Sequence, residues 1–405
     1  MMNEAVINED GTKEPTSNIS RYKDHNLKVM KGNSAAAEAA NLCRAGFVPA
    51  YPITPQTTIV EEISAKVANK QMGASYVNMD SEHSVFAAAM GAALTGERVF
   101  TATAGQGLFY SHEVLHAIAH LRLPMVICNV GRPSIPWNIW SDQSDSLSQR
   151  DTGWVQIYGE SSQEVMDDII QAYRITEQLN LPVMVVLDAF YQSHTCENIW
   201  VPDQKLVDSY LPAKQPRPDD IDLKQFRAYG GLVSHEHYDK FNFDYWSDIN
   251  QVEDLTNQLG KEFNTTFGRE YSAVEAVNIT KDTKTVLVTM SSISTTVRCV
   301  LPYFPEVGLL KIRLLKPFPK KSVLSVLKES QINPEQCKLV SVDRNFMGDN
   351  GGALFQEMQR ALYGSNYKLS GVYAGLGGRD VPHSTIEKII ENAKSNNDEI
   401  SWIDI

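Results

Sequence analysis

Cysteine is scarce in this chain, and the few cysteines are far apart. Only five of the 405 residues are Cys, and they form no CxxC pair and no spacing typical of an iron–sulfur cluster. Scattered thiols of this kind are typical of a protein in a reducing cytoplasm. We therefore expect a cytoplasmic chain. If its reaction releases single electrons, the chain cannot hold them in a cysteine-ligated cluster.

Excess positive charge and long apolar runs are also lacking. The net charge is −12 and the pI is about 5.3, which argues against a surface for nucleic acid or anionic membrane. No run of 18 apolar residues occurs, so no transmembrane helix is expected. Residues 1–27 are polar and have no apolar core, which predicts a mobile N-terminal arm and not a secretory signal.

From residue 28, short apolar runs alternate with helical patterns. Strands are predicted at 48–52, 74–79, 98–104, 124–130 and 182–189, with helices at 34–46, 81–96, 107–121 and 162–178. This alternation is typical of right-handed βαβ units that form a parallel sheet. The sequence therefore predicts a first parallel-sheet domain over residues 28–199.

The alternation stops at residues 200–268 and then resumes. The polar stretch predicts an extended connection followed by one amphipathic helix over 246–268, which should wrap around a neighbour or a partner. Strands are then predicted at 283–291, 307–315, 337–345 and 368–376, with helices near 294–304, 320–329, 351–363 and 384–395. The predicted fold class is α/β, with a second parallel-sheet domain over residues 269–405.

Polar groups follow several predicted strands, where parallel sheets bind their ligands. Thr54, Glu82, the Gly105–Gly107 turn and Arg132 all follow strand ends and should share one rim. Simpler explanations remain open for each side chain. Thr54 could cap the next helix, and Glu82 could stabilise a helix start. Arg132 could form a structural salt bridge with Asp142 or Asp145.

One short motif points to different chemistry. "HEVLH" at 112–116 matches the HExxH helix of zinc peptidases, which would make the chain a zinc hydrolase. A catalytic zinc also needs a third ligand, and the next His is His194, beyond two predicted strands. We therefore expect no metal site on this chain, and metal analysis would test the alternative.

Longer segments carry a family resemblance. "AYPITPQTTIVEEI", "DSEHSVFAAAMGAALTGERVFTATAGQGL", "SDQSDSLSQRDTGWVQIYGESSQE" and "LLKIRLLKPFP" occur in this order. Over about residues 28–390 the chain resembles the α subunit of 2-oxoacid:ferredoxin oxidoreductases, such as pyruvate:ferredoxin oxidoreductase. The resemblance implies a pyrimidine-type thiamine diphosphate domain followed by a transketolase C-terminal-like domain.

The resemblance also implies a set of cofactors and partners. The resemblance implies that a separate β subunit binds the diphosphate and Mg, and the lack of a GDG…Asn pattern in this chain agrees with that. Subunits of γ and δ type would carry the [4Fe-4S] clusters, and ferredoxin or another acceptor would take the electrons. Coenzyme A would be the co-substrate that receives the acyl group.

Residue roles follow from the matched motifs. Glu82 matches the glutamate that contacts the aminopyrimidine ring nitrogen, and Ile53, Gly105 and Gln106 complete the cofactor-binding set that the resemblance implies. Thr54 and Arg132 match contacts to the substrate carboxylate. These assignments imply oxidative decarboxylation of a 2-oxoacid, with pyruvate as the first expectation.

The sequence departs from pyruvate-specific relatives after Arg132. There it reads "PSIPWNIWSDQSD", where those relatives usually have smaller side chains. Trp137 and Trp140 could pack at a subunit interface, or could line a pocket for an aromatic 2-oxoacid such as phenylglyoxylate. A further alternative is a non-catalytic subunit that serves assembly or binding.

Overall fold

The computed structural model describes most of the chain. The described residues are 6–7, 13–14, 25–222, 224–225, 228–348, 350–395 and 398–404. Most of the predicted mobile arm lies outside them, apart from the short antiparallel pair β1 (Val6–Ile7) and β2 (Lys13–Glu14). The predicted boundary of the arm at residue 27 is too late, because residues 25–27 belong to strand β3 (His25–Lys31). Strand β3 pairs antiparallel with β10 (Cys196–Pro202).

All five strands predicted in the first half are present, and β3, β10 and one further strand were missed. The five are β4 (Phe47–Ala50), β5 (Ser75–Asn78), β6 (Phe100–Thr103), β7 (Val126–Gly131) and β9 (Val183–Asp188), and the further strand is β8 (Val155–Tyr158). Strands β8-β9-β7-β6 are parallel, and β14 (Leu314–Lys316) from the second half adds antiparallel to β8. Strands β4 and β5 form a parallel pair, and a parallel bridge joins Phe47 to Val99 just before β6.

Helices connect these strands as predicted, with one break. The helices are α1 (Gly32–Leu42), α2 (Thr57–Ala68), α3 (Glu82–Leu94), α4 (Gly105–Tyr110), α5 (His112–His120), α6 (Ser144–Leu147) and α7 (Ser162–Leu179). Residues 107–121 were predicted as one helix, but the structure interrupts it at Ser111. The hydroxyl of Ser111 donates to the Gly107 carbonyl at 2.9 Å, which ties the break to the turn that opens α4.

The connection between the halves is more helical than predicted. One helix was expected over 246–268, but the structure has α8 (Gln204–Tyr210), α9 (His235–Ile249) and α10 (Val252–Phe267). Helix α10 buries Leu259, Phe263 and Phe267 in the core of the first half. None of the 15 residues of α9, all of them described, is buried.

The second half forms a mixed sheet with the order β11-β13-β12-β15-β16-β17. The strands are β11 (Val274–Val277), β12 (Thr285–Thr289), β13 (Val307–Ile312), β15 (Lys338–Asp343), β16 (Lys368–Tyr373) and β17 (Ile400–Trp402), and β11 alone of these runs antiparallel to its neighbour. The helices are α11 (Ser292–Val300), α12 (Lys320–Glu329), α13 (Ala353–Leu362) and α14 (His383–Ser395), with 3-10 turns at Leu301–Tyr303 and Leu376–Gly378. The α/β class is therefore confirmed, although each main sheet carries one antiparallel strand. Within the described ranges, no helix is long and apolar enough to cross a bilayer.

Buried ion pairs join the two halves. The Arg313 guanidinium donates to Asp168 with an Nε–Oδ1 distance of 2.8 Å, and Lys311 Nζ lies 2.7 Å from Glu164 Oε1. All four side chains are at most 3 % exposed, so losing one partner would leave an unpaired buried charge. Lys311 lies in β13 and Arg313 follows that strand, whereas both carboxylates belong to α7. The pairs therefore join the second half of the chain to helix α7 of the first half.

Candidate active site

The polar groups predicted to share a rim do meet beyond the carboxyl ends of the first-half strands. Arg132, which follows β7, donates through Nη1 to the Thr54 carbonyl at 2.5 Å and through Nη2 to Gln106 Oε1 at 2.6 Å. Glu82 begins α3 after β5 and lies against Gly107 of the turn after β6. Four chain segments thus converge on one site.

Arg132 is the most buried of these groups. Its residue surface is 6 % exposed, and its buried Nε atom has no hydrogen-bond partner among the described residues. Burial lowers the pKa of Arg132, and the charges of Asp145 and Glu82 oppose that shift. The sequence left open a salt bridge between the Arg132 side chain and Asp145. In the structure the Asp145 carboxylate instead accepts the backbone N–H of Arg132 at 3.2 Å.

Glu82 is half-buried and packs closely on the glycine turn. Ser81 caps α3 by accepting the N–H of Ser84, which fixes the start of the helix and places Glu82 in its first turn. A Cβ atom on Gly107 would lie 2.6 Å from Glu82 Cγ and 2.8 Å from Thr103 Oγ1. The Thr103 hydroxyl is buried and unpartnered within the part of the chain that the structure describes.

The contact between Gly107 and Glu82 gives a first prediction. We expect Gly107→Ala to lower kcat by about tenfold or more, because the new methyl group must displace the Glu82 side chain and misplace its carboxylate. The measurement is steady-state kcat of the assembled complex, with assembly checked by size-exclusion chromatography.

The matched control is Gly91→Ala in α3, where a Cβ would meet nothing within 4 Å. Because the added methyl group touches no neighbour, Gly91→Ala should keep the wild-type kcat. Alanine is also the better helix former, so the variant should be at least as stable as wild type. A Gly107→Ala complex with wild-type kcat would show that Glu82 tolerates displacement.

Thr54 does not serve as a helix cap. Helix α2 begins at Thr57 and the residue before it is Gln56, so the capping alternative is wrong. The turn is held instead by the Asn33 side chain, which donates to the Pro55 carbonyl at 2.8 Å. Thr54 is exposed at the rim and its carbonyl is bound by Arg132.

The other predicted cofactor residues line the same rim. Gly105 has φ +49°, and a Cβ on it would lie 2.0 Å from Arg132 Nε, so only glycine fits this position. Gln106 donates through Nε2 to the Ser134 carbonyl at 2.8 Å and so links the turn to the segment after Arg132. Ile53 is half-buried and packs against the apolar core of the first half.

Asp145 is part of the site, and sequence reasoning considered it only as an ion-pair partner. Its side chain is fully buried and accepts the N–H groups of Gly105 and Arg132 at 2.8 and 3.2 Å. Burial raises the pKa of Asp145 to about 6, against the lowering effect of the donors around it. Its place in "SDQSD" was the available signal, but the spacing does not show which Asp faces the rim.

The two tryptophans lie on the segment after Arg132 and are largely exposed. Trp137 is 62 % and Trp140 is 50 % exposed. The Trp140 ring lies 4.6 Å from the Phe190 ring, and a Cβ on Gly378 would lie 2.1 Å from Trp140 Cβ. Trp140 therefore packs against a loop of the second half, and its role in a substrate pocket remains a prediction.

The histidines of the HEVLH motif make other contacts. His112 Nδ1 lies 2.5 Å from Gln149 Oε1, and His120 stacks on Tyr245 with ring centroids 5.4 Å apart. In the described ranges, no three His, Cys, Asp or Glu side chains are grouped so that they could hold a metal ion.

A separate cavity of about 460 Å³, lined in part by Arg122 and Arg217, does not include these histidines or the rim residues.

Comparisons with known proteins identify two family domains in this chain. Residues 38–261 match the family "Pyruvate flavodoxin/ferredoxin oxidoreductase, thiamine diP-bdg", and residues 283–386 match "Pyruvate:ferredoxin oxidoreductase core domain II". The first match places the rim in a thiamine-diphosphate-binding family domain.

Similar chains include two curated subunits. Ketoisovalerate oxidoreductase subunit VorA of Pyrococcus horikoshii is 40 % identical over 91 % of this chain and 93 % of its own length. Pyruvate synthase subunit PorA of Methanothermobacter thermautotrophicus is 38 % identical over 93 % of this chain and 98 % of its own length.

A solved structure shares the fold. The 2-oxoglutarate:ferredoxin oxidoreductase from Magnetococcus marinus, with 2-oxoglutarate, coenzyme A and succinyl-CoA bound, superposes with a TM-score of 0.71 at 19 % identity. The match covers 92 % of this chain and 65 % of that one. By its two matched domains and its near full-length relatives, this chain belongs to the 2-oxoacid:ferredoxin oxidoreductase family as an alpha-type subunit.

Proposed function

We propose that this chain provides the pyrimidine side of a thiamine diphosphate site in a complex that oxidatively decarboxylates a 2-oxoacid. The observation that carries the proposal is the convergence of Glu82, Thr54 and Arg132 on a rim where glycines 105 and 107 leave no room for a Cβ. The two curated relatives are named as subunits of a pyruvate and a ketoisovalerate enzyme, which supports the same reaction class.

The residues at the rim fit the aminopyrimidine part of the cofactor. Glu82 offers a half-buried carboxylate that can accept a proton or a hydrogen bond from a ring nitrogen, and the unpartnered Thr103 hydroxyl lies beside it. Thiamine diphosphate, when bound, supplies the carbon nucleophile and the electron sink that a 2-oxoacid decarboxylation needs. The diphosphate and its Mg would be held by a β-type partner.

Arg132 and Thr54 are proposed to hold the substrate carboxylate. The guanidinium is fixed by the Thr54 carbonyl and Gln106, so its position is set before a substrate arrives. Pre-positioning of this kind is what orientation catalysis requires. A bound carboxylate would take donors from the guanidinium, and the Thr54 hydroxyl would add one at the exposed edge.

The overall reaction fixes what the partners must do. Each 2-oxoacid, R–CO–COO⁻, reacts with CoA–SH to give R–CO–S–CoA, CO2, one proton and two electrons. The five cysteines are scattered and have no iron–sulfur spacing, so the electrons are proposed to pass to [4Fe-4S] clusters on γ- and δ-type subunits. Ferredoxin or another acceptor in the cytoplasm would then take them.

Pyruvate is the proposed substrate, and an aromatic 2-oxoacid is the second candidate. Trp137 and Trp140 favour an aromatic 2-oxoacid, because both indoles are exposed and follow Arg132 by no more than eight residues in the sequence. The contacts of Trp140 with Phe190 and with the loop at Gly378 favour a packing role and hence the first.

Substitution of Trp140 tests this choice. We expect Trp140→Ala to lower the free energy of unfolding by about 1 kcal/mol, through loss of the Phe190 contact, and to leave the preference among 2-oxoacids unchanged. Thermal unfolding and kcat/KM for pyruvate and phenylglyoxylate are the measurements. Trp137→Ala is the control, because its indole is the more exposed of the two. If either variant changed the preference between pyruvate and phenylglyoxylate, the indoles would line the substrate pocket.

The proposed function is tested on the native complex, purified from its source without oxygen. Thiamine diphosphate, Mg, coenzyme A and a viologen dye are supplied, and dye reduction is compared with pyruvate, 2-oxoisovalerate and phenylglyoxylate. Reduction with pyruvate supports the proposal, and reduction with phenylglyoxylate alone moves the substrate to the aromatic class. No reduction with any of the three would favour a non-catalytic assembly subunit.

A further inference from the structure

Asp145 is a buried carboxylate to which hydrogen bonds converge from separate segments of the chain. Its Oδ2 atom accepts the backbone N–H of Gly105 at 2.8 Å, the backbone N–H of Arg132 at 3.2 Å and the side-chain amide of Asn129 at 3.2 Å. Its Oδ1 atom accepts the backbone N–H of Ser146 at 2.6 Å. The side chain is fully buried, so these four donors replace the water that an exposed carboxylate would bind.

The donors come from the segments that form the rim. Gly105 opens α4 after β6, Arg132 follows β7, and Asp145 itself lies in α6. Gly105 also lies directly beneath the guanidinium, because a Cβ on it would be 2.0 Å from Arg132 Nε. A shift of the Gly105 turn must therefore move the Arg132 side chain as well.

We infer that Asp145 is a positioning residue for the proposed 2-oxoacid reaction, which holds the Gly105 turn and the Arg132 backbone in one fixed relation. The inference rests on the proposed function for its effect on catalysis, while the arrangement of backbone groups can be tested without any substrate. Asp145 acts through Arg132 and Gln106, and it contacts neither substrate nor cofactor in this proposal.

Only a carboxylate fits this position. Both oxygens of Asp145 accept N–H groups, so an amide in its place would turn its own NH2 toward a donor in either orientation. Asp145→Asn keeps the size and shape of the side chain and removes one acceptor. The substitution therefore tests the hydrogen bonds with little change in packing.

The second half offers a matched control. Asp343 is also fully buried, its pKa is also raised to about 6 by burial, and it accepts the backbone N–H groups of Leu354 and Phe355 at 2.9 and 3.2 Å. These donors open α13 in the second half of the chain. Asp343→Asn should destabilise the chain in the same way without disturbing Arg132.

The experiment compares both variants with wild type in the native complex. Amide hydrogen exchange is measured by mass spectrometry on peptides that contain Gly105, Arg132, Leu354 and Phe355, and KM and kcat are measured for the 2-oxoacid. For Asp145→Asn we expect exchange at Gly105 and Arg132 at least about tenfold faster. We also expect KM to rise about tenfold or more, since Arg132 is misplaced. Exchange of the cofactor C2 proton, which depends on Glu82, should stay within about twofold of wild type.

The outcomes separate a positioning role from a structural one. Asp343→Asn should speed exchange at Leu354 and Phe355 only and leave KM unchanged. The inference is overturned if Asp145→Asn leaves exchange at Gly105 and Arg132 unchanged, or speeds it while KM stays at the wild-type value.

A milder variant covers the case in which Asp145→Asn does not fold. Asn129→Ala removes one donor to Asp145 and should shift exchange at Gly105 and Arg132 and KM in the same directions by smaller factors. Unchanged exchange and KM in a folded Asn129→Ala complex would then count against the inference. A wild-type complex inactive on every 2-oxoacid would instead refute the proposed function, and hydrogen exchange would still report on the backbone arrangement.

Discussion

Glu82→Gln is expected to slow exchange of the C2 proton of bound thiamine diphosphate by about 100-fold or more, with the complex still assembled. The Glu82 carboxylate lies at the start of α3 against the glycine turn, where it can hold a proton on the aminopyrimidine ring nitrogen. A neutral amide of the same size cannot accept that proton. The measurement is proton NMR of the cofactor after timed exposure of the complex to D2O and an acid quench.

Glu113→Gln is the control for this variant. Glu113 is a nearby carboxylate at the start of α5, is 87 % exposed, and lies 3.7 Å from His83 Nε2. Its replacement should leave C2-proton exchange at the wild-type rate, because it lies outside the rim contacts. Exchange at the wild-type rate in Glu82→Gln would show that another group controls the ring nitrogen.

Arg132→Lys is expected to lower kcat/KM for the 2-oxoacid by about 30- to 100-fold, mainly through KM, since hydrogen bonds to charged groups contribute about 1.5–3 kcal/mol. The guanidinium uses two nitrogens to bind the Thr54 carbonyl and Gln106 at once. An ammonium group has no planar fork and cannot reproduce both contacts while also meeting a carboxylate. Steady-state kinetics with the 2-oxoacid provides the measurement.

Two comparisons make this prediction specific. C2-proton exchange in Arg132→Lys should stay near the wild-type rate, because Glu82 is unchanged. Arg44→Lys alters an arginine whose side chain is 58 % exposed and paired with Asp208 on the surface, and should leave kcat/KM unchanged. If KM of Arg132→Lys equals that of wild type, the substrate carboxylate binds elsewhere.

The rim was predictable because it follows from strand ends. Near-continuous apolar runs identify β4, β6 and β7, and a parallel sheet must place the residues that follow them at one edge. The placement of Thr54, Gly105 and Arg132 at one rim therefore followed from the strand pattern, whereas their proposed roles came from the family resemblance. Their detailed contacts, such as the bond from Arg132 to the Thr54 carbonyl, depend on turn geometry and could not be predicted.

Other parts of the fold leave weak traces in the sequence. Helix α9 buries none of its described residues, although Tyr238, Phe241 and Tyr245 recur at helical spacing, so its pattern does not mark a buried face. Strand β8 reads VQIY, so the buried polar residue Gln156 interrupts its apolar run, and β14 joins the first sheet from the second half of the chain. Such pairings depend on the whole fold.

Asp145 shows the same limit within the site. Asp142 and Asp145 are three residues apart in one motif, and both are nearly or fully buried. Asp142 accepts the N–H of Gly377 from the second half, whereas Asp145 accepts N–H groups at the rim. The turn after Arg132 decides this difference, and a residue pattern does not encode it locally.

The most direct test of the central claim is the stoichiometry of one reaction of the native complex. A 2-oxoacid labelled at its carboxyl carbon is supplied with coenzyme A and viologen, with and without thiamine diphosphate. We expect one labelled CO2, one acyl-CoA and two reduced viologens per substrate, all dependent on thiamine diphosphate. Labelled CO2 that forms equally well without thiamine diphosphate, or without reduction of the dye, would contradict it.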